Sequence, residues 1–245
     1  MKDLIKKIYK ELSPYSDEWR AERRLHERTL ELAEKYLDGL AGKRALDIGC
    51  GVGILVYGFK ILGADVSGID KHLLSERQAK GIEDRWKELG IDARIGDFTE
   101  ISENGFDLIT AENIFEHLPF TQKEFLEKIY AGLKSGGYAI LTTPNLASFL
   151  KRARMLFGRG PYWDLKDFFV NKQPFGHVRE FTGKEMAWMA EQTGFKVRTL
   201  EFNNVYFEWR WFRRPDRWPA LVVWLISQIF PSGRDHIFIV IQKPL

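Results

Sequence analysis

The sequence predicts an α/β fold built on a mostly parallel sheet of seven strands. Short apolar runs alternate with segments of helical spacing along the 245 residues, and a glycine-rich turn follows the first run. Strands that alternate with helices are typical of parallel sheets joined by right-handed crossovers. A chain of this length is expected to form one domain spanning 1–245.

The strands and helices can be placed in order from periodicity and from glycines that end helices. The predicted strands are 44–50, 64–70, 92–97, 106–113, 138–145, 196–202 and 236–243. The predicted helices are 54–63, 74–90, 120–137 and 182–195. Two stretches, 146–181 and 203–235, are too long for plain connections and are expected to fold into functional insertions.

Composition limits the classes of function. Hydrophobic content of 44% and charged content of 29% fit a globular protein, and a net charge of +3 gives no global attraction to nucleic acid. The only cysteine, Cys50, excludes an intramolecular disulfide and fits a reducing compartment. Residues 1–19 interleave lysines with acids and lack the apolar core of a signal peptide, so we expect a cytoplasmic location.

The loop after the first strand, "ALDIGCGVG" (45–53), identifies the kind of ligand. A dinucleotide fingerprint would need glycine at Ile54, and the G-K-[ST] end of a P-loop is missing. The carboxylate of Asp47 would repel phosphate oxygens but suits an ammonium or sulfonium group. The loop therefore favours a ligand without a pyrophosphate.

Two further acids end predicted strands. Asp70 follows the second strand, where it can accept hydrogen bonds from ribose hydroxyls, a device used for both NAD and S-adenosylmethionine. Asp97 ends the third strand and can accept from an adenine amino group. Structural roles remain open for all three acids: loop capping for Asp47, a helix N-cap for Asp70 and a turn for Asp97.

Six segments in order resemble the motifs of class I S-adenosylmethionine-dependent methyltransferases, in particular the group that methylates small molecules, lipids and glycans. They are "LDIGCGVG", "GID", "GDFTEI", "FDLITAENIFEHL", "LKSGGYAILTTPN" and "GHVREFTGKEMAWMAEQTGF". The final "HIFIVIQKP" is similar to the closing strand of that family. The resemblance implies a Rossmann-like seven-stranded sheet with helices on both faces, an antiparallel last strand and S-adenosyl-L-methionine as cofactor.

The resemblance also implies roles for individual residues. Around the cofactor it places Asp47, Gly49, Gly51 and Gly53 at methionine and ribose, Asp70 at the ribose hydroxyls, Asp97 with Phe98 at adenine, and Asn113 with Ile114 at the methionine end. Residues 1–40 are expected to form a helical cap, with Tyr15 or Trp19 near the sulfonium. The insertions 146–181 and 203–235 are expected to form a lid on the acceptor side.

Transfer to an oxygen or a protonated nitrogen usually requires a base. His117, just past the fourth strand, and His177, beside Arg179 and Glu180, are the candidates, although either could instead hold backbone structure. His26 and His236 are expected to be structural or solvated. Relatives that methylate quinone precursors or RNA ends carry E-x-x-E-H and use the acids for a metal; here Asn113 replaces the first acid, so no metal is predicted.

The two insertions suggest an acceptor with an apolar body and an anionic group, such as a lipid-linked metabolite. Residues 148–160 combine four basic side chains with apolar ones and contain no acid. Residues 206–230 alternate aromatics with arginines and then become apolar for a stretch too short to span a bilayer. This second segment fits a peripheral contact with the inner membrane face, a cap on the acceptor pocket, or a homodimer interface.

Two other functions stay open at the level of sequence. An RNA-modifying methyltransferase would use the basic and aromatic segments as a platform, though the near-neutral charge does not favour nucleic acid. A protein that binds S-adenosylmethionine but has lost catalysis would keep the loop and acids without turnover. A nicotinamide dehydrogenase is the least supported, because the dinucleotide fingerprint is incomplete.

Overall fold

The computed structural model describes residues 1–12, 22–71, 76–118, 122–162, 169–170, 176–206, 213 and 218–245. The helices are α1 (Lys2–Glu11), α2 (Arg23–Leu37), α3 (Ile54–Ile61), α4 (Glu76–Leu89), α5 (Gln122–Gly132), α6 (Phe149–Leu156), α7 (Gly183–Gln192) and α8 (Trp218–Ile229). The strands are β1 (Arg44–Ile48), β2 (Asp65–Asp70), β3 (Asp92–Ile95), β4 (Phe106–Glu112), β5 (Leu133–Pro144), β6 (Lys196–Asn203) and β7 (His236–Gln242). Short 3₁₀ turns cover Phe98–Glu100, Phe115–His117 and Pro231–Gly233.

The seven strands form one sheet in the order β3-β2-β1-β4-β5-β7-β6. The pairs among β1 to β5 are parallel, whereas β7 is antiparallel to both β5 and β6. This confirms the predicted mostly parallel sheet with an antiparallel last strand. The strand order reverses between β1 and β4, and open α/β sheets bind ligands at the carboxyl ends of the strands at such a switch point.

Both faces of the central strands are buried, which explains their nearly continuous apolar sequences, whereas the edge strands β3 and β6 are partly exposed. In β7, Phe238 and Val240 join the core beneath α1 to α4, while the alternate residues Ile237 and Ile239 join the core beneath α5 and α7. Side chains of successive strand residues point to opposite faces. The same alternation puts Asp47 of β1 on the face that α1 to α4 cover.

One predicted boundary is wrong. The helix predicted over 120–137 ends at Gly132, and β5 begins at Leu133, which pairs with Phe106 of β4. A Cβ at Gly137 would lie 2.9 Å from the carbonyl oxygen of Phe106, so the chain runs too close to β4 there for a helix. Tertiary pairing overrides the local glycine signal that suggested a longer helix.

The two long insertions carry structure of their own. The first contains α6 and the second contains α8, and the rings of Phe149 and Phe230 meet edge to face at 6.3 Å. None of the helices in the described part of the chain has the length and apolar character needed to cross a membrane. The arrangement of these insertions as an acceptor-side lid stays a prediction.

Candidate active site

The loop between β1 and α3 is held in a conformation that favours glycine. Gly49, Gly51 and Gly53 have φ values of +75°, +50° and +88°, in the left-handed region. The amide of Gly49 donates to the carbonyl of Ile69 on β2 over 2.7 Å. A Cβ at Gly49 would lie 2.1 Å from Cδ1 of Ile114, so that close approach also requires glycine.

Asp47 lies directly before this loop and is buried. Its Oδ1 accepts a hydrogen bond of 2.6 Å from the hydroxyl of Thr110, the residue paired with it on β4. Burial raises the pKa of the Asp47 carboxyl to about 7, and the nearby charge of Asp70 adds to this increase. A buried acid with one neutral donor is suited to a cationic ligand group that restores its ionised form.

Asp70 ends β2 and organises the glycine loop. Its Oδ2 accepts a hydrogen bond of 2.8 Å from the backbone amide of Gly51. The carboxyl is partly exposed at the carboxyl edge of the sheet. This placement is compatible with the predicted contact to ribose hydroxyls.

The predicted adenine pair begins the 3₁₀ turn after β3. Asp97 accepts from the backbone of Thr99 and pairs with Lys71 at 2.7 Å. The hydrogen bonds from Lys71 and from the Thr99 amide lower the pKa of Asp97 to about 2. Phe98 packs edge to face on Phe125 at 4.9 Å between ring centroids. Asp97 therefore does have the turn-capping role that the sequence left open, and this role is compatible with an adenine contact.

The residues just after β4 lie against the glycine loop. Asn113 has a φ of +52°, and its amide nitrogen donates to Glu22 while its amide oxygen faces Nε2 of His236 at 3.1 Å. Ile114 is the side chain that lies over Gly49. Tyr15 and Trp19, expected near the sulfonium, lie outside the described residues.

His117 and His177 lie together beyond this point. Their rings meet edge to face with centroids 4.9 Å apart. Nδ1 of His177 is 2.7 Å from Oε1 of Glu180, whose other oxygen contacts Lys151, and Nδ1 of His117 is 3.2 Å from the carbonyl of Gly176. His236 and His26 are both buried, so their structural interpretation holds and the solvated one does not.

Glu116 is a functional candidate that sequence reasoning used only in discussing metals. It is fully buried, and burial raises the pKa of its carboxyl to about 7. Thr143 donates to its Oε2, whereas Oε1 has no hydrogen-bond partner within the described chain. Glu116, His117 and His177 offer ligand atoms within 4.8 Å of one another and could hold a metal ion. The predicted absence of a metal stays a prediction.

Sequence reasoning also missed a hydrogen-bonded group at the end of β4. Nε2 of His26 lies 3.2 Å from Oε2 of Glu112, and the hydroxyl of Thr29 donates to Oε1. The hydroxyl of Tyr9 lies 2.7 Å from Nδ1 of His26. Helical spacing carries a signal here, because His26 and Thr29 occupy the same face of α2 as Leu30 and Ala33, which are buried.

The arrangement fits S-adenosylmethionine. The buried acid before the loop suits a cation, the strand-ending carboxyl is compatible with ribose hydroxyls, and the tight glycines allow close backbone approach. The strand order and this loop place the chain among the Rossmann-like methyltransferases.

Comparison with known proteins supports that class. A family model described as a methyltransferase domain matches residues 17–200, well over half of the chain. The chain therefore belongs to this family of methyltransferase domains.

Individual relatives agree with it. The ubiquinone biosynthesis O-methyltransferase of Vibrio atlanticus is 33% identical over 110 residues, which are 44% of this chain and 46% of that protein. The chain spans about half the length of the curated relatives it matches.

Two solved structures share the fold. An S-adenosylmethionine-dependent methyltransferase from Mesorhizobium loti superposes with a TM-score of 0.60 at 17% identity, covering 92% of this chain and 99% of that one. A magnesium protoporphyrin IX methyltransferase from Synechocystis, with bound S-adenosylhomocysteine, gives 0.60 at 12% identity and covers 96% and 94%. At these identities the likeness shows the fold alone.

Proposed function

We propose that the chain transfers a methyl group from S-adenosylmethionine to an oxygen atom of a small acceptor. Family membership supports the methyl transfer, and the name of the Vibrio atlanticus relative supports oxygen as the acceptor atom. The observation that carries the proposal is the pair formed by His177 and Glu180, at the same edge of the sheet as the cofactor loop. This pair offers a base to an acceptor hydroxyl.

The hydrogen bonds of His177 support Nε2 as the nitrogen that would accept the proton. Burial opposes ionisation of Glu180, but the hydrogen bond from His177 and the charge of Lys151 lower the pKa of Glu180 below its usual value. Glu180 is then ionised and accepts from Nδ1–H of His177. Nε2, the other ring nitrogen, lies 3.9 Å from Oε1 of Glu116 and is the atom proposed to take the proton.

The chemistry is an in-line displacement. Bound S-adenosylmethionine supplies an electrophilic methyl carbon. Nε2 of His177 would accept the proton of the acceptor hydroxyl as the hydroxyl oxygen takes up the methyl group, and the demethylated donor would leave as a neutral thioether. His117, whose Nδ1–H is oriented by the carbonyl of Gly176, is the alternative base.

The side chains proposed to hold the cofactor follow from the site. Asp47 would face the cationic methionine end, with Gly49, Gly51 and Gly53 allowing close approach. Asp70 would accept from the ribose, Asp97 and Phe98 would hold adenine, and Asn113 with Ile114 would lie beside the methionine end. Tyr15 or Trp19 would close over the sulfonium.

The acceptor is proposed to combine an apolar body with an anionic group. On α6, Leu156 and the following Phe157 are exposed, close in sequence to Arg152 and Arg154. On α8, Ile229 is 74% exposed. Such surfaces fit a lid over a lipid-like acceptor, a peripheral contact with an anionic membrane, or a homodimer, whereas nucleic acid is not favoured.

The proposed function is tested by labelled methyl transfer. Purified protein, S-adenosylmethionine labelled in the methyl group and fractionated cell extract should give one labelled small molecule, and mass spectrometry should place the methyl on oxygen. A label on nitrogen or RNA would contradict the proposal, and so would cofactor binding without any labelled product. Flotation of the protein with vesicles that contain or lack anionic lipid tests the membrane contact. A protein that floats with neither kind of vesicle would rule out that contact.

A further inference from the structure

Glu112 is a buried acid next to the cofactor loop with no role in the steps above. It lies two residues beyond Thr110 on β4, so both side chains point to the face of the sheet that Asp47 occupies. Its side chain is 7% exposed. β1 ends at Ile48, level with Ala111 on β4, so Glu112 extends past the strand end where the glycine loop turns away.

The carboxyl of Glu112 is held by neutral groups. Thr29 donates to Oε1, and His26 faces Oε2. Burial lowers the pKa of His26 to about 3, so its ring is neutral. Tyr9 completes a relay through Nδ1 of that ring.

This relay can hold Glu112 in either charge state. When Glu112 is ionised, Tyr9 donates to Nδ1 of His26 and Nε2–H donates to Oε2. When Glu112 is protonated, Oε2–H donates to Nε2 and Nδ1–H faces the Tyr9 oxygen. Both arrangements pair the two ring nitrogens of His26 and both carboxyl oxygens of Glu112.

The charged groups around Glu112 favour the protonated form. Two further acids act on it, Asp47 from β1 and Glu22 from the start of α2, and both raise its pKa in addition to the effect of burial. Among the described residues, its direct partners are the two α2 side chains, His26 and Thr29. No cation within the described part of the chain contacts this carboxyl to stabilise its ionised form.

We propose that Glu112 is a second counter-ion, after Asp47, that responds to the sulfonium charge of S-adenosylmethionine and gives up a proton when this cofactor binds. The proposal rests on the S-adenosylmethionine site of the proposed function. The step balances: protonated Glu112 plus S-adenosylmethionine gives the carboxylate–cofactor complex and one proton in solvent. Thr29 and His26 position the carboxyl of Glu112. The Tyr9–His26 pair can exchange its hydrogen-bond donors and acceptors when this carboxyl loses its proton.

S-adenosylhomocysteine, the product of methyl transfer, differs from S-adenosylmethionine in charge and so serves as the comparison ligand. At neutral pH S-adenosylmethionine carries an ammonium, a sulfonium and a carboxylate, for a net charge of +1, whereas S-adenosylhomocysteine lacks the sulfonium charge. A site that adds a carboxylate for the sulfonium form should distinguish donor from product by charge as well as by the methyl group. The site would then retain S-adenosylmethionine before the transfer and release S-adenosylhomocysteine more easily after it.

Calorimetric titration tests this without any methyl acceptor. Binding enthalpies measured near pH 7 in buffers of different ionisation enthalpy give the number of protons released per ligand. We expect release of about one proton with S-adenosylmethionine and clearly less with S-adenosylhomocysteine. Glu112→Gln should remove most of that difference and weaken S-adenosylmethionine relative to S-adenosylhomocysteine on the order of tenfold.

Glu31→Gln is the matched control, because Glu31 lies on α2 but is partly exposed and paired with Arg28. It should behave as the wild type. Equal proton release for both ligands on the wild type would overturn the proposal, and that comparison does not depend on a variant that folds. Unchanged release in a folded Glu112→Gln would assign the proton to another group, such as Asp47, and would also overturn it. A protein that shows the proton effect but makes no O-methyl product would refute the proposed function alone.

Discussion

Replacing Gly49 by alanine should separate two physical costs at the cofactor loop. Its φ of +75° disfavours a side chain by about 1–2 kcal/mol. The new Cβ would also lie 2.1 Å from Cδ1 and 2.4 Å from Cγ1 of Ile114, and relieving such overlap typically costs about 1–3 kcal/mol. We expect Gly49→Ala to lower the free energy of unfolding by about 2–5 kcal/mol and to weaken S-adenosylmethionine binding.

Two further variants isolate the overlap. Gly42 has nearly the same φ, +73°, but nothing lies within 4 Å of a Cβ placed there, so Gly42→Ala should show the conformational cost alone. Ile114→Ala removes both clashing atoms, so the cost of Gly49→Ala measured relative to Ile114→Ala alone should fall to about that of Gly42→Ala. Urea unfolding measures these free energies. If Gly49→Ala costs no more than Gly42→Ala, or if its cost is unchanged in the Ile114→Ala background, the close approach of Ile114 is not the cause.

Three other outcomes follow from the same geometry. Burial raises the pKa of Glu116 in the folded state to about 7, above its unfolded value, so the free energy of unfolding should fall as pH rises from about 4.5 to 7. Glu116→Gln should remove on the order of 3 kcal/mol of this pH dependence, and an unchanged pH profile of urea unfolding would contradict the assignment. His177→Gln should lower kcat about 100-fold while the Kd of the cofactor stays the same, so a wild-type kcat would exclude His177 as the base. Thr110→Val removes the hydrogen bond that favours ionised Asp47, so calorimetry near pH 7 should show S-adenosylmethionine binding weakened about tenfold. Equal affinity in the variant would mean that this hydrogen bond does not contribute to ligand binding.

The sequence is sufficient for most of the sheet because its central strands are buried on both faces. Apolar runs such as that of β7 have no competing interpretation when helices separate them at regular intervals. The end of α5 was misplaced because Leu133 pairs with Phe106, a contact between residues distant in sequence. The local spacing of apolar residues and glycines does not predict such a long-range pair.

The candidate site likewise contains residues that the sequence identifies and residues that only the packing reveals. Asp47 and Asp70 stand out in sequence because each is an acid directly at the end of an apolar strand. Glu112 occupies a similar position after β4, but its meaning depends on which helix covers that face of the sheet. His26 looked like one polar residue in a charged helix, and only the packing of α2 on β4 shows that it is buried against Glu112.

The pairing of β6 with β7 has a consequence for how this protein can change over time. Asn203 and His236 are cross-strand partners, so the segment 204–235 leaves the sheet and returns to it at one point. The closure entropy of such a loop grows only slowly with its length. Insertions or deletions between Val205, which lies in the core, and Arg234, which donates to the carbonyl of Phe202, are therefore expected to leave the register of β6 and β7 intact. Variation in this stretch would change the proposed acceptor side, while Tyr206, which packs on His236 at 5.0 Å between ring centroids, ties its first residues to the network around Asn113.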